Sequence, residues 1–215
     1  SNYEVTCRIA SVPFVPAKNT NYTYGTPSAF EGFELGRVRG VLDEDGEGQF
    51  ECPNKELTAK LPGMAKLLVE VDVLEAGSGR TTSGKTSIKL HPAPYYVGLQ
   101  IGATAIEAGN QYPISGIVVD WSGEKTEVIE QMMIQNAQID YSYSWYWDEE
   151  EDYYGRSQNI EERPLKKETI SVKKGRFSHF VMGESRVDAY RIRAQAEHDG
   201  HIVATVLDVD GYYSW

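Results

Sequence analysis

Large and polar side chains alternate with a period of two residues along much of this 215-residue chain. In residues 3–9 the odd positions hold the larger side chains Tyr3, Val5, Cys7 and Ile9. The same period recurs in residues 139–147 and 189–196. Successive side chains of a strand point to opposite faces, so this period predicts strands with one face against a core. Many short strands with almost no helix indicate an all-β chain of antiparallel β-sandwiches.

Residues 79–86 match the spacing of a phosphate-binding P-loop, whose defining positions here are Gly79, Gly84, Lys85 and Thr86. Such a loop binds phosphate only where a helix begins at its Lys-Thr end. Pro92 and Pro94 follow within eight residues of Thr86, and proline inside a helix is unfavourable by about 3 kcal/mol or more. We therefore expect a glycine-rich hairpin that joins residues 67–75 to residues 86–90, and no bound nucleotide.

The chain is acidic, with a formal net charge of −11. Most of this charge lies in residues 95–215, which carry 11 Lys and Arg against 20 Asp and Glu. Nucleic-acid binding needs a basic face, so the composition argues against a nucleic-acid partner.

No apolar run approaches the roughly 18 to 20 residues that span a bilayer, and no secretory signal precedes the first strand. Ser1 and Asn2 are typical of a cleaved tag, so we expect an internal piece of a longer protein.

The stretch from His91 to Pro94 is short and stiff, and strands are predicted on both sides of it. We expect two domains, at residues 1–93 and 94–215, each large enough to bury its own core. The second domain would carry a long hairpin insert near residues 148–168. Both cysteines, Cys7 and Cys52, fall in the first domain. A disulfide between them would need an oxidising compartment, and two buried free thiols are the alternative.

Candidate catalytic and metal-binding residues are sparse. The pair His198 and His201 could clamp a metal ion, but no cysteine or ordered carboxylate accompanies it in sequence, and exposed turn histidines are the favoured interpretation. The acidic run at residues 148–152 is interpreted as a solvated hairpin tip rather than a calcium loop. The sequence therefore predicts no catalytic residue, no metal site and no cofactor, and a chain that is not an enzyme.

Seven aromatic side chains fall within residues 141–154. Strict alternation places Trp145 and Trp147 on the same face as Ile139, which favours packing in a core. A protein interface and a sugar-binding platform are the alternatives.

Several segments of the chain, in the same order, resemble the consecutive macroglobulin-like domains of bacterial alpha-2-macroglobulins. The matching segments are Glu70 to Glu75, Gly79 to Gly84, Ile88 to Pro92, Tyr95 to Leu99, Ala108-Gly109, Val119 to Gly123, Tyr143 to Asp148, Ala189 to Ile192 and Asp199-Gly200. The resemblance spans most of residues 65–215. It implies tandem fibronectin-like or immunoglobulin-like sandwiches of seven strands. It also implies a role in trapping proteases, in which a protease cuts a bait segment and the surrounding shell rearranges.

The resemblance does not extend to the reactive thioester of that family. The thioester needs Cys-Gly-Glu-Gln, whereas Cys7 is followed by Arg-Ile-Ala and Cys52 by Pro-Asn-Lys. A bait segment has no fixed sequence, and the candidate within this chain is residues 149–168. Its basic residues would suit a trypsin-like enzyme, and they are Arg156, Arg163, Lys166 and Lys167. An ordinary long hairpin, with the bait elsewhere in the parent protein, is the favoured interpretation.

The sequence thus predicts a non-catalytic structural fragment of an alpha-2-macroglobulin-like endopeptidase inhibitor, which supports its shell and bait region. The resemblance implies proteases as partners of the intact protein and neighbouring macroglobulin-like domains as partners within it. It implies a periplasmic or extracellular location, with any membrane attachment through a lipid anchor outside this chain. The alternative from another class is a carbohydrate-binding or adhesive β-sandwich module.

Overall fold

A computed structural model describes residues 1–26, 31–53, 61, 63–148 and 153–212. Strands and turns account for the secondary structure of these residues, and none of them belongs to a helix that could cross a membrane. The strands are β1 (Asn2–Ser11), β2 (Thr23–Tyr24), β3 (Phe33–Val41), β4 (Ala65–Leu74), β5 (Thr81–Leu90), β6 (Tyr96–Ile101), β7 (Ala105–Glu107), β8 (Gln111–Val119), β9 (Gln131–Asp148), β10 (Tyr153–Ser171), β11 (Arg176–Met182), β12 (Ala189–His198) and β13 (His201–Tyr212).

The chain divides into two compact units. Unit 1 comprises Ser1–Phe14 and Pro27–Pro94, and unit 2 comprises Val15–Thr26 and Tyr95–Trp215. The strands of unit 1 form one antiparallel sheet in the order β3, β1, β4, β5. The strands of unit 2 form two sheets, in the orders β10, β9, β12, β13, β7 and β11, β8, β6, β2. The predicted all-β class with antiparallel sheets is confirmed, and the β13–β7 pair is parallel.

The core of unit 1 lies on one face of its central strand, β1. The odd residues Tyr3, Val5, Cys7 and Ile9 are buried, as the alternating pattern predicted. Tyr3, Val5 and Cys7 pack with Val69 of β4, and half-buried side chains such as Val38 surround them. Cys7 is joined to Cys52 by a disulfide, which ties the segment after β3 to the central strand.

The predicted hairpin is formed by β4 and β5. These strands pair along their full length, from Ala65 opposite Leu90 to Leu74 opposite Thr81. The second strand begins at Thr81, five residues before the predicted start. In the turn, Gly77 and Gly79 have φ values of 89° and 68°, a conformation that glycine adopts without steric strain.

The two sheets of unit 2 pack face to face. The largest side chains buried in this unit include Tyr95, Leu99, Ile117, Met132 and Ile192. The hydroxyl of Tyr95, just before β6, donates a hydrogen bond to the carbonyl of His201 in β13, at 2.8 Å. Burial raises the pKa of this hydroxyl to about 12. The hydrogen bond therefore comes from a neutral phenol and links the two sheets.

The predicted first domain, residues 1–93, needs one correction, because residues 15–26 belong to unit 2. The N–H of Gly25 donates to the Thr205 hydroxyl at 3.1 Å, and the carbonyl of Gly25 accepts from the Val206 N–H at 2.9 Å. The side-chain amide of Asn19 donates to the carbonyl of Gly123 at 2.8 Å. Partners that lie 104 and 180 residues away leave no local pattern in the sequence.

We expect removal of the disulfide to destabilise unit 1. The bond joins residues 45 positions apart, and cross-links that close loops of this size typically contribute about 2–4 kcal/mol to stability. In urea unfolding, the double variant Cys7→Ser, Cys52→Ser should have a free energy of unfolding lower than that of the wild type by this amount. Reduction with dithiothreitol should lower the free energy of unfolding of the wild type to that of the double variant and leave the double variant unchanged. A wild-type midpoint that does not move on reduction would contradict this expectation.

Candidate functional site

The residues of the phosphate-loop motif lie in a strand rather than before a helix. Gly84, Lys85 and Thr86 belong to β5 and pair with β4. The ammonium of Lys85 lies 2.8 Å from the carboxylate of Glu70, directly across the strand pair. The backbone N–H groups of residues 84–86 point sideways from the strand, to alternate sides, and do not converge on one point. The motif therefore forms the hairpin that the sequence predicted, without a phosphate cradle.

We expect ATP to leave the protein unaffected. Thermal unfolding with and without millimolar MgATP should give the same Tm, because the N–H groups of residues 84–86 have no cradle geometry. The variant Lys85→Ala should behave in the same way, with only the small loss of stability expected for an exposed ion pair. A rise in Tm with MgATP that Lys85→Ala abolishes would show that this structural interpretation is wrong.

The hairpin formed by β9 and β10 extends beyond the sheet that contains it. Strand β9 pairs with β12 from Met133 to Ile139, whereas it pairs with β10 as far as Asp148. Residues 140–148 and 153–161 therefore form a two-stranded segment, which has no third strand among the described residues. We call this segment the aromatic ribbon.

One face of the aromatic ribbon carries most of its rings. On β9 this face holds Tyr141, Tyr143, Trp145 and Trp147, and the residues paired with them on β10 are Ile160, Gln158, Arg156 and Tyr154. Trp145 is 68% exposed and Tyr154 is 72% exposed. The predicted core packing of Trp145 and Trp147 is wrong. The reason is that the pairing with β12, which accompanies the buried part of β9, ends at Ile139.

Contacts within the aromatic ribbon hold its side chains in place. The rings of Trp147 and Tyr154 meet edge to face, with centroids 4.6 Å apart. The guanidinium of Arg156 lies over the ring of Tyr143, 4.5 Å from its centroid. On the opposite face, the ring of Tyr146 covers Gly155 so closely that a Cβ there would lie 2.4 Å from a ring atom. The Tyr146 ring leaves no room for a side chain at position 155, and the residue there is glycine.

A polar cluster of His179, Glu168 and Asn136 lies inside unit 2. His179 is only 4% exposed, and its Nδ1 lies 2.7 Å from Oε1 of Glu168. Its Nε2 lies 3.0 Å from the Nδ2 of Asn136. The Nδ1–H therefore donates to the carboxylate, and Nε2 accepts from the amide. Burial lowers the pKa of His179, while the charge of Glu168 opposes this shift, so the imidazole is neutral near pH 7.

A bulge in β10 puts Glu168 in this cluster. The register of β10 against β9 shifts between Pro164 and Lys166, so Glu168 rather than Lys167 pairs with the buried Ile134. Proline in a strand is confined to edges and bulges, because it has no N–H to donate, and β10 is an edge strand. Pro164 was the one sequence signal for this shift.

The cluster lies beside a cleft of about 450 Å³ that β10 and β11 line from two sides. Polar groups of Lys166 and Glu184 share this lining with apolar side chains such as Leu165 and Phe180. The neighbouring Ser178 alternates to the exposed face of β11, away from the buried imidazole. The arrangement is that of a structural hydrogen-bond bridge between the two sheets, and it does not pair a base with a nucleophile.

The other predicted residues are dispersed. His198 and His201 face each other at the β12–β13 turn. Within the described part of the chain, no group of three or more His, Cys, Asp or Glu side chains is placed to hold a metal ion.

The sequence analysis did not identify the cluster around His179, although the alternation of His179 with Phe177 and Val181 marked it as core-facing. Its partners lie 11 and 43 residues away.

The basic residues of the candidate bait segment lie in one paired strand. Arg156, Arg163, Lys166 and Lys167 all belong to β10 and have partners in β9. The Nε of Arg163 donates to Asp140 at 2.9 Å, and the ammonium of Lys166 lies 2.6 Å from Glu168. Residues 149–152 of the segment lie outside the described residues.

We expect the stability of unit 2 to fall as the pH drops below about 6.5. The unfolded chain protonates this histidine near its ordinary pKa of 6.5, whereas folded His179 takes up a proton only at lower pH. Between these pH values the unfolded state holds more protons, so the free energy of unfolding falls by up to about 1.4 kcal/mol per pH unit.

This pH dependence can be measured by urea unfolding at pH 7.5, 6.5 and 5.5. His179→Gln should lose less stability than the wild type over this range, because glutamine does not titrate. His198→Gln, in the β12–β13 turn, is the matched control and should keep the wild-type dependence. If the free energy of unfolding falls equally with pH in the wild type and in His179→Gln, His179 is not the source of the pH dependence.

Comparison with solved structures defines the class of fold. The chain matches native Escherichia coli alpha-2-macroglobulin with a TM-score of 0.65 and 16% identity, over 100% of this chain and 14% of that chain. It matches Salmonella alpha-2-macroglobulin reacted with methylamine with a TM-score of 0.66 and 14% identity. This match also covers 100% of this chain and 14% of that chain. For E. coli alpha-2-macroglobulin activated by porcine elastase, the TM-score is 0.64 and the identity is 16%. That match covers 99% of this chain and 19% of that chain.

The fold is therefore that of the macroglobulin-like, immunoglobulin-like β-sandwich domains found in bacterial alpha-2-macroglobulins. The chain spans 14% of the length of two of these matches and 19% of the third. No model of a known protein family matches the sequence, and no curated protein does.

Proposed function

We propose that this chain is a non-catalytic structural part of an alpha-2-macroglobulin-like endopeptidase inhibitor. The observation that carries the proposal is the likeness in fold to bacterial alpha-2-macroglobulins over the whole chain. Because the chain corresponds to a small share of those proteins, it acts as part of the shell of a larger molecule. Its partners are then the neighbouring macroglobulin-like domains of that molecule and, through the intact protein, the proteases that it traps.

Several features of the chain support a scaffold role. The groups with the most unusual surroundings, such as His179, are bonded within the structure rather than directed at a substrate. The Cys7–Cys52 disulfide fits a protein of an oxidising compartment. A periplasmic or extracellular location is consistent with both the disulfide and the proposed encounter with proteases.

The pairing of β10 supports placing residues 153–168 in the shell rather than in the bait. A protease binds its substrate as a single extended segment, so β10 would first have to separate from β9. The ladder runs from Tyr153 opposite Asp148 to Ser171 opposite Gln131. Opening it would break hydrogen bonds along the whole strand. A bait segment has to be cut before the rest of the protein, and this strand is not suited to that.

We expect limited trypsin digestion of the folded chain to spare Arg156, Lys166 and Lys167. Arg163 does not test the fold, because Pro164 follows it and trypsin does not cut that bond in any conformation. The first cuts should fall at basic residues outside strands, such as Arg80 and Arg186. The sites can be identified by mass spectrometry of the earliest fragments.

The control is the same digestion after heat unfolding with the disulfide reduced, which should cut at Arg156 and Lys166. This control shows that the sites are chemically cleavable and that the fold protects them. If the earliest cuts of the folded chain instead fall between Tyr154 and Glu168, this segment behaves as a bait. The shell assignment for β10 would then have to be abandoned.

A further inference from the structure

The aromatic ribbon exposes an unusually large apolar surface. Its apolar side chains on one face are Tyr141, Tyr143, Trp145, Trp147, Tyr154 and Ile160, with exposed fractions from 38% to 72%. Together they expose on the order of 600 Å². An exposed area of this size is at the upper end of the range for the largest apolar patch on a soluble monomer, and such patches commonly mark binding surfaces.

The composition of this face suits a ligand that is both flat and polar. Five of its six apolar side chains are Tyr or Trp, which combine a flat ring with one hydrogen-bonding group. Gln158 and Arg156 lie on the same face and add donors. A pyranose ring offers a matching surface, with C–H groups on its faces and hydroxyls around its edge. A partner that is purely aliphatic would leave these polar groups without hydrogen bonds.

Charge argues against ligands of either sign, because the eight residues of this face include no carboxylate to pair with a cation and the acidic surroundings repel anions. Arg156 carries the one formal charge among the eight residues of this face, and its guanidinium already covers Tyr143. The surrounding residues 95–215 hold 20 Asp and Glu against 11 Lys and Arg. This field repels nucleic acids, acidic polysaccharides and anionic membranes. A second copy of the chain would bring together two molecules with a net charge of −11 each.

The rings are also ordered before any ligand arrives. The Trp147–Tyr154 and Arg156–Tyr143 contacts fix four side chains of the face. Alternate residues of a strand lie roughly 7 Å apart, so Tyr143, Trp145 and Trp147 form a row of about 13 Å. A row of this length can accommodate several sugar units of an extended chain. A surface that is already ordered loses less side-chain entropy on binding.

We propose that the aromatic ribbon binds a neutral polysaccharide, with Trp145, Trp147 and Tyr154 as its stacking residues. This binding activity is separate from the proposed scaffold role, because it needs only the exposed face formed by residues 141–147 and 154–160. The described chain thus carries a second function, attachment to neutral glycans.

The test uses four neutral probes on the chain, namely cellopentaose, chitopentaose, laminaripentaose and maltopentaose. Isothermal titration calorimetry should give a Kd below about 1 mM for at least one of them. The fluorescence of the exposed tryptophans should change on the same titration. Trp145→Ala and Tyr154→Ala should each weaken binding about tenfold or more. Both side chains are exposed, so the Tm and circular dichroism of these variants should match the wild type.

Trp121→Ala is the matched control, because Trp121 is 55% exposed but lies outside the aromatic ribbon. It should bind like the wild type. The proposal is overturned if none of the four probes binds at millimolar concentration, or if binding survives Trp145→Ala unchanged. It is also overturned if sedimentation velocity shows a dimer that Trp145→Ala dissociates, because the face would then be covered by a second copy.

Discussion

Strand β9 has two neighbouring strands from Met133 to Ile139 and only one beyond Ile139, where its aromatic side chains become exposed. A large apolar side chain stabilises a fold only where a second layer covers it. Ile134 and Ile139 meet this condition and are buried. Trp145 lies on the same face as Ile139 but is exposed, because the pairing with β12 ends at Ile139. One uninterrupted strand therefore supplies both a core and a surface.

Short-range patterns predicted the local pairing well. The glycines of residues 77–79 and the prolines at 92 and 94 were enough to predict the β4–β5 hairpin and to reject a phosphate loop. The alternation in residues 3–9 correctly identified the buried face of β1. In each case, the residues that determine the structure lie close together in the sequence.

Long-range placement could not be predicted in the same way. A period of two shows that a strand has two different faces, but it does not show whether a second sheet covers either of them. The aromatic residues of β9 and the buried His179 both follow this period, yet the former are exposed and the latter is bonded to two other strands. Residues 15–26 likewise depend on partners such as Gly123 and Thr205.

The segment 15–26 makes unit 2 discontinuous in sequence. The chain leaves unit 1 after Phe14, contributes β2 to unit 2, returns to unit 1, and enters unit 2 again at Tyr95. Excision at the stiff stretch of residues 91–94 would leave β6 without β2 and expose an open sheet edge, which is a common site of aggregation. Because unit 2 is built from two separate stretches of chain, one cut cannot separate the two structural units. Recombination can transfer both units together, but it cannot transfer an intact unit 2 alone.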